Sequence, residues 1–437
     1  MRSRVALVTA LVAGATLRGA LLPTPGTPDV DSWKIWAFEG SRSSPASLYG
    51  VGGNPTERRR LAWNDMSGTT EYPPLALYEI AAVGRIYRVL DPTFSDSPTL
   101  AALVKLPGLT AEIAFLVAMF TWGRRRLGDA ALWIGAVVWL NPAVIINGAG
   151  LGYLDAQMAV PASLAVLAAA IGQPLLSGAL VAAAVLTKAQ ALFLLPVVAI
   201  AALTSQTTAP RVSAAARFAL GGLLTTLLIV GPILVRGAWP NMVQAIARLG
   251  SHNMVSGNGL NFWWIVTWIV RSLDSLDLGW RTAFMLPVKI LEISRFMQVG
   301  YPNPKPIGAA VVMVAMLAAL WWTRRASGPA ARMLLAAWCV YTYSMFAAQV
   351  HENHAYLVVP CLAIAAGLDR SLRPLFWGVS VMVAFNMYVF YDIGTWDFPM
   401  IERSMTGVDL TVVAAFVNVG LYSWMTARLL RLRRPSL

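Results

Sequence analysis

Charge is what this sequence has least of. Only 13% of its 437 residues are Asp, Glu, Lys or Arg, against 57% hydrophobic, whereas a soluble domain carries about 25% charged residues. So few charges cannot cover a water-exposed surface, which excludes an ordinary soluble enzyme. Cysteine is nearly absent: Cys339 and Cys361 both lie inside apolar runs. There they read as small core residues, which excludes a disulfide framework and a thiolate metal site. Ten-residue segments of alternating polarity are missing too, which argues against a membrane β-barrel.

What the chain does have is a succession of apolar runs near the ~20 residues that cross a bilayer. Its 34 glycines and 26 prolines fit that setting, since both are more frequent in membrane helices than in soluble ones. Spans are expected near Val5–Leu22, Ala101–Trp122, Ala130–Asn147, Ala156–Gly172, Leu175–Thr187 and Ala189–Leu203. Others follow near Ala214–Val235, Ile307–Trp322, Met333–Val350, Ala355–Leu368, Leu375–Tyr391 and Leu410–Leu429. The fold class is an all-α polytopic membrane protein of about twelve helices. The stretch Asn261–Gly300 holds either two further short spans, for about fourteen, or interfacial helices. Met1–Leu22 starts basic and turns apolar; in so polytopic a chain it is expected to be an uncleaved first span rather than a signal peptide.

A net charge of +13 raises nucleic-acid binding, and its distribution excludes it. The basic residues form short clusters between apolar runs: Arg2 and Arg4, Arg124–Arg126, Arg324–Arg325, Arg370 with Arg373, and Arg431 with Arg433 and Arg434. Such clusters mark cytoplasmic loop ends. Both termini are therefore expected in the cytoplasm, and residues 23–100 form a long first external loop. Within that loop Leu75–Leu90 has apolar residues at helical spacing with Glu79, Arg85 and Arg88 between them. It is expected to be an amphipathic helix on the membrane surface.

Five external segments carry groups able to do chemistry. Asp29-Val30-Asp31 follows the first span, with Trp33 and Trp36 behind it; it suits a general base, a metal ligand or a solvated turn. Val350-His351-Glu352-Asn353-His354 ends a later span. Its histidines are i, i+3 apart rather than the i, i+4 of a zinc helix, so imidazole N–H groups facing a lipid phosphate suit it better than a metal. An interfacial polar cap is the plainer alternative. Lys188 and Gln190 interrupt an apolar stretch, and an ionisable group there is functional by default unless it snorkels to the interface. Gly148–Asp155 lacks the spacing of a dinucleotide loop and reads as a tight turn leading to an exposed Asp155. Ser251–Trp264, with Asn258 among its amides and His252 near its start, suits sugar binding or an aromatic belt.

The order of these elements is more telling than any one of them. An acidic pair after the first span is followed by Glu71-Tyr72-Pro73-Pro74-Leu75, Gly152-Tyr153-Leu154-Asp155-Ala156, Lys188-Ala189-Gln190, Asn261-Phe262-Trp263 and Val350-His351-Glu352. That order resembles the GT-C superfamily of polyprenyl-phosphate-sugar-dependent glycosyltransferases. It looks most like the dolichyl-phosphate-glucose glucosyltransferases of the N-glycan pathway and bacterial relatives of the GPI mannosyltransferases. The resemblance covers roughly Asp29 to Pro360 and is most specific at Tyr-Pro-Pro-Leu and Val-His-Glu. The chain departs at Glu71, where aspartate is common, and at Asn353, where the glucosyltransferases carry lysine.

The resemblance implies a single transmembrane GT-C-like domain over residues 1–437, in a bacterial plasma membrane with its active site external. It implies Asp29 as catalytic base with Asp31 as its acidic neighbour. His351 and Lys188 would bind the donor phosphate, and Asp155, Gln190, Glu352, His354, Asn258 and Tyr72 would line the substrate site. The partners implied are a polyprenyl-phosphate hexose donor, an acceptor that is a glycan, a lipid-linked glycan or a protein, and membrane lipids. Mannose and glucose are both open, with arabinose behind them. No cofactor is required, and a divalent metal is open but not expected. A transporter or flippase of lipid-linked sugars is the rival class, although the repeated halves that transporters usually show are missing.

Overall fold

The computed structural model describes residues 2–50, 59–204, 211–273, 287–323, 328–395, 404–405 and 408–432. These divide into two compact units: Met1–Ser251 with Ile393–Trp396, and His252–Asp392 with Asp397–Leu437.

Unit 1 begins with α1 (Arg2–Leu21), α2 (Pro28–Arg42), α3 (Pro74–Leu90) and α4 (Pro98–Ala118). It continues through α5 (Arg124–Leu127), α6 (Asp129–Trp139), α7 (Pro142–Ile145) and α8 (Asp155–Ala170). α9 (Pro174–Thr187), α10 (Leu195–Thr204), α11 (Arg211–Val235) and α12 (Trp239–Ala247) complete its helices among the described residues. Unit 2 contains α13 (Phe262–Leu273), α14 (Ile293–Gln298), α15 (Pro304–Thr323), α16 (Pro329–Phe346), α17 (Val358–Leu368), α18 (Arg373–Tyr391) and α19 (Leu410–Arg431).

Each span expected from the sequence overlaps at least one helix. Among the described residues, five helical segments are long and apolar enough to cross a membrane: Pro98–Leu127, Arg211–Val235, Pro304–Trp321, Arg370–Tyr391 and Leu410–Arg431. A sixth is counted if Asp129–Trp139 and Pro142–Gly150 are one span bent by 51°. Asn141 and Pro142 interrupt it, as expected where proline removes a helical N–H. The other expected spans fall on shorter apolar helices or on α16, which is buried along most of its length. Of the open stretch Asn261–Gly300, α13 and α14 are helical, and residues 274–286 lie outside the described residues.

Close helix approach builds unit 1. A Cβ at Gly40 would meet Ala81, and one at Gly84 would run into the carbonyl oxygen of Ala37, so these glycines let α2 and α3 touch backbone to backbone. The same device joins α9 to α11, where Gly178 faces Phe218 and Gly221 faces Leu175. Small residues at such crossings are how helices pack where no water drives them together.

Two expectations change here. α3 is helical as its spacing predicts, but Leu77, Ile80, Ala81, Gly84 and Tyr87 are buried, and the helix packs on α2 and α4. Its stripe is core, and among its large apolar residues Ile86, Val89 and Leu90 are exposed. The all-α reading also misses a small hairpin, β1 (Leu61–Trp63) against β2 (Met66–Gly68). Asn64 and Asp65 both take positive φ, the pair of left-handed residues that a tight two-residue turn needs.

Candidate active site

The site in unit 1 is built from a helix hairpin outward. α8 and α9 run antiparallel, joined at Ile171–Gln173 where Gly172 has φ 79°. The first residue of α8 therefore returns beside the residue that ends α9. That brings Asp155 to Lys188: Nζ donates to Oδ1 at 2.5 Å, with side chains 2% and 6% exposed respectively. Asn147 Nδ2 donates to the other carboxylate oxygen at 2.9 Å. An acidic group at a helix start and a cation at a helix end each suit the helix dipole. The expected exposed Asp155 is thus corrected, and Lys188 does not snorkel to an interface; each is the other's counter-charge in the protein interior.

The glycine-rich turn before α8 is tight, as expected, with Gly152 at φ 76°. It also anchors the start of α2. Lys105, buried on α4, donates to Thr24 O at 2.7 Å and to the carbonyls of Gly150 at 2.8 Å and Ala149 at 3.2 Å. Thr27 N donates to Leu151 O at 3.1 Å, and Trp33 Nε1 to Gly152 O at 2.9 Å. These bonds hold the first turn of α2, and with it Asp29, against the segment that leads to Asp155.

Tyr72 closes the group. Pro73 and Pro74 start α3 directly behind it, and its own carbonyl accepts from Tyr49 Oη at 2.7 Å. Its ring makes edge contacts with Trp33 at 5.2 Å and Trp36 at 5.6 Å. Lys188 Nζ lies 5.7 Å from the ring centre, a cation set over the aromatic face. Burial pushes the hydroxyl well above its ordinary value, and the charges of Lys188, Asp29 and Asp155 all act on it. Asp29 also acts electrostatically on Lys188. Trp36 Nε1 is buried with no hydrogen-bond partner, an unsatisfied donor of the kind that calls for a ligand or water.

Tyr72, Asp155 and Lys188 thus lie together, with Asp29 near enough to act on Tyr72 and Lys188 electrostatically. Asp31 is not part of that group. Two residues along a helix point to different sides, and Asp31 instead lies 3.4 Å from Lys34, whose Nζ also pairs with Asp96 at 2.9 Å. The Asp-x-Asp spacing does not present two carboxylates to one centre, and among the described residues no group of three or more His, Cys, Asp or Glu is placed to hold a metal ion. Gln190 follows Lys188 in the 3₁₀ segment Ala189–Leu194.

His351, Glu352, His354 and Asn258 belong to unit 2. Gly257 and Asn258 pair with His351 through backbone bridges, and Gly257 N donates to Val350 O at 2.8 Å. Asn258 has φ 66°, a conformation Asn tolerates better than most residues, so a backbone reason for Asn stands beside the expected sugar contact. The rings of His351 and His354 are 5.3 Å apart, and His252 lies 5.9 Å from His351. Glu352 is buried, its carbonyl accepting from Asn386 Nδ2 at 3.2 Å.

Sequence reasoning passes over Asn147, Lys105 and a buried ion pair, Arg18 to Glu112 at 2.6 Å. The signal for the last three was present, since Arg18, Lys105 and Glu112 are charges inside apolar stretches. Their partners lie up to 121 residues away.

No protein-family model matches the chain, and no curated protein matches it in sequence. Among solved structures, the chain is similar to two crystal structures of one enzyme. One is the crystal structure of the Archaeoglobus fulgidus oligosaccharyltransferase tethered with an acceptor peptide containing the NVT sequon through a disulfide bond. It matches with TM-score 0.42 and 12% identity over 98% of this chain and 55% of that one. The other is the same enzyme in the apo form, with TM-score 0.43 and 12% identity over 98% of this chain and 56% of that one. The chain spans about half the length of those enzymes. A likeness of that size bears on neither substrate nor chemistry.

Proposed function

We propose that the chain is an inverting glycosyltransferase that moves a hexose, mannose or glucose, from a polyprenyl-phosphate donor to an acceptor hydroxyl at the external face of the membrane. The observation that carries the reading is the gathering of Asp29, Tyr72, Asp155 and Lys188 in unit 1. In the sequence these residues lie in four separate motifs.

Asp29 is the base. It takes the proton from the acceptor hydroxyl as that oxygen attacks the anomeric carbon from the side opposite the phosphate. The C1–O bond to the phosphate breaks, the configuration inverts, and polyprenyl phosphate leaves with the bonding pair. A phosphate is a stable leaving group, so the scheme needs no general acid. It needs the base fixed close to the acceptor oxygen, because positioning supplies a large part of such a rate.

The surroundings of Asp29 fit that task. Lys188 pairs with Asp155 and lies over the Tyr72 ring, so it helps hold the wall of the site in one arrangement. Its charge is offset by Asp155, which makes Lys188 a positioning residue for Tyr72 and the acceptor side in this reading. Contact with the donor phosphate is assigned to His351. Trp33, Trp36 and Tyr72 form an aromatic group of the kind that covers the apolar face of a sugar.

The test is to incubate the purified chain in nanodiscs with short-chain polyprenyl-phosphate mannose, glucose and arabinose and a membrane extract as acceptor source. Release of polyprenyl phosphate from one donor, coupled to sugar incorporation into acceptor, is expected. Saturable donor binding with no release from any of them would replace the enzyme with a carrier of lipid-linked sugars.

A further inference from the structure

The chain has three histidines in 437 residues, and unit 2 brings all three together. His252 precedes α13, whereas His351 and His354 lie between α16 and α17, so the grouping is tertiary. The rings of His252 and His351 meet edge to face with centres 5.9 Å apart, and those of His351 and His354 are 5.3 Å apart.

Neighbours fix the His354 and His351 rings and tie the backbone of His252 to the second loop. Tyr343 stacks on His354, and the Tyr343 hydroxyl and His354 Nδ1 are hydrogen-bonded at 3.1 Å. Gln349 Nε2 donates to the carbonyl of His252, and Gln349 N donates to Val255 O at 3.1 Å, tying the two loops together. Gly257 lies flat against His351: a Cβ there would sit 3.0 Å from both Cε1 and Nδ1 of the ring. All three histidines are partly buried, neither sealed in a core nor fully solvated.

Imidazoles so gathered bind either a metal ion or an oxyanion. Among the described residues no group of three or more His, Cys, Asp or Glu is placed to hold a metal. The same rings carry N–H donors, and His is the side chain whose charge is available near neutral pH. We infer that His252, His351 and His354 form one phosphate-binding cluster, with His252 a third ligand that the sequence motif does not include. The ligand class is a phosphate monoester or diester oxyanion, and its lipid-borne and free forms share the chemistry. The inference extends the assignment of His351 to the donor phosphate and rests on that reading for its biological ligand, while the binding itself is testable alone.

The experiment measures binding of a short-chain polyprenyl monophosphate to the full chain in detergent, with the matching polyprenol and inorganic phosphate as separate probes. His252→Ala is expected to weaken binding of the phosphorylated lipid about tenfold or more. His252→Gln, which keeps an N–H donor, is expected to recover part of that loss. Gly257→Ala, whose methyl group meets Met254 Sδ and the His351 ring without removing a donor, is expected to weaken binding as well. Weak but measurable inorganic phosphate binding lost in His252→Ala assigns the site to the phosphate itself; its absence beside tight lipid binding assigns it to a lipid-borne phosphate. Equal affinity of His252→Ala and the unaltered chain, with both folded by thermal unfolding, overturns the inference, as does polyprenol binding as tightly as its phosphate. Phosphate binding that requires His252, without transfer from any donor, leaves this site standing and removes the proposed reaction. Sugar transfer with phosphate affinity unchanged in His252→Ala does the reverse.

Discussion

Lys188 and Asp155 meet at 2.5 Å, with 6% and 2% of their side chains exposed, though 33 residues separate them. The contact is set by the length of one helix hairpin. It turns two isolated polar interruptions of an apolar sequence into one structural element, beside which Tyr72 and Asp29 stand.

Removing one partner of a buried pair leaves a charge without compensation, which costs about 3–5 kcal/mol. Asp155→Asn and Lys188→Met are therefore each expected to destabilise the chain strongly. The double variant is expected to lose much less than the sum, since no buried charge is then stranded. Thermal unfolding of the four proteins in one detergent measures this, and additive losses would contradict it.

Stability also carries a pH signature from α3. Burial lifts the Glu79 carboxyl to about 7 from its usual 4.5, and one of its oxygens is buried without a partner. The folded chain then holds a proton that the unfolded chain has already released, so stability falls as pH rises from about 4.5 to about 7. Glu79→Gln is expected to flatten that slope and to be the more stable protein at pH 8, by roughly 1 kcal/mol once its partial exposure is allowed for. Unfolding curves at pH 5 and pH 8 read it directly.

The crossing of α2 and α3 depends on one missing Cβ. Gly84→Ala places a methyl group into the carbonyl of Ala37, and overpacking of that kind costs about 1–3 kcal/mol. Gly231→Ala in α11, where nothing lies within 4 Å of the added atom, is expected to be neutral or stabilising, because alanine is the better helix former. Equal effects of the two on unfolding temperature would contradict the packing argument.

Asn258 distinguishes a backbone role from a side-chain one. Its φ of 66° is open to glycine and costs an ordinary residue about 1–2 kcal/mol. Asn258→Gly is expected to unfold near the unaltered chain, and Asn258→Val several degrees lower. If Asn258→Gly also keeps donor affinity, the amide is not a sugar ligand.

Much of the fold was legible because a membrane helix is written in a run of apolar residues, a signal local to each segment. Each expected span overlaps a helix for that reason. α3 was legible as a helix and misplaced, since its periodicity shows a stripe but not what covers it; α2 does. Asp155 was misread as exposed because its glycine-rich turn signals a loop, whereas its burial depends on Lys188. The pairing of Lys34 with both Asp31 and Asp96 was hidden in the same way. The base candidate was legible through motif order, and the split of Asp29 from Asp31 only through the turn of α2.

The central claim is that Asp29, and not its neighbour two residues on, removes the acceptor proton. The measurement is the rate of polyprenyl phosphate release with saturating donor and acceptor for the unaltered chain, Asp29→Asn and Asp31→Asn, each checked for folding. The account predicts a loss of about 10²-fold or more for Asp29→Asn and a change within a few-fold for Asp31→Asn. Full transfer by Asp29→Asn, or a larger loss in Asp31→Asn, would contradict it.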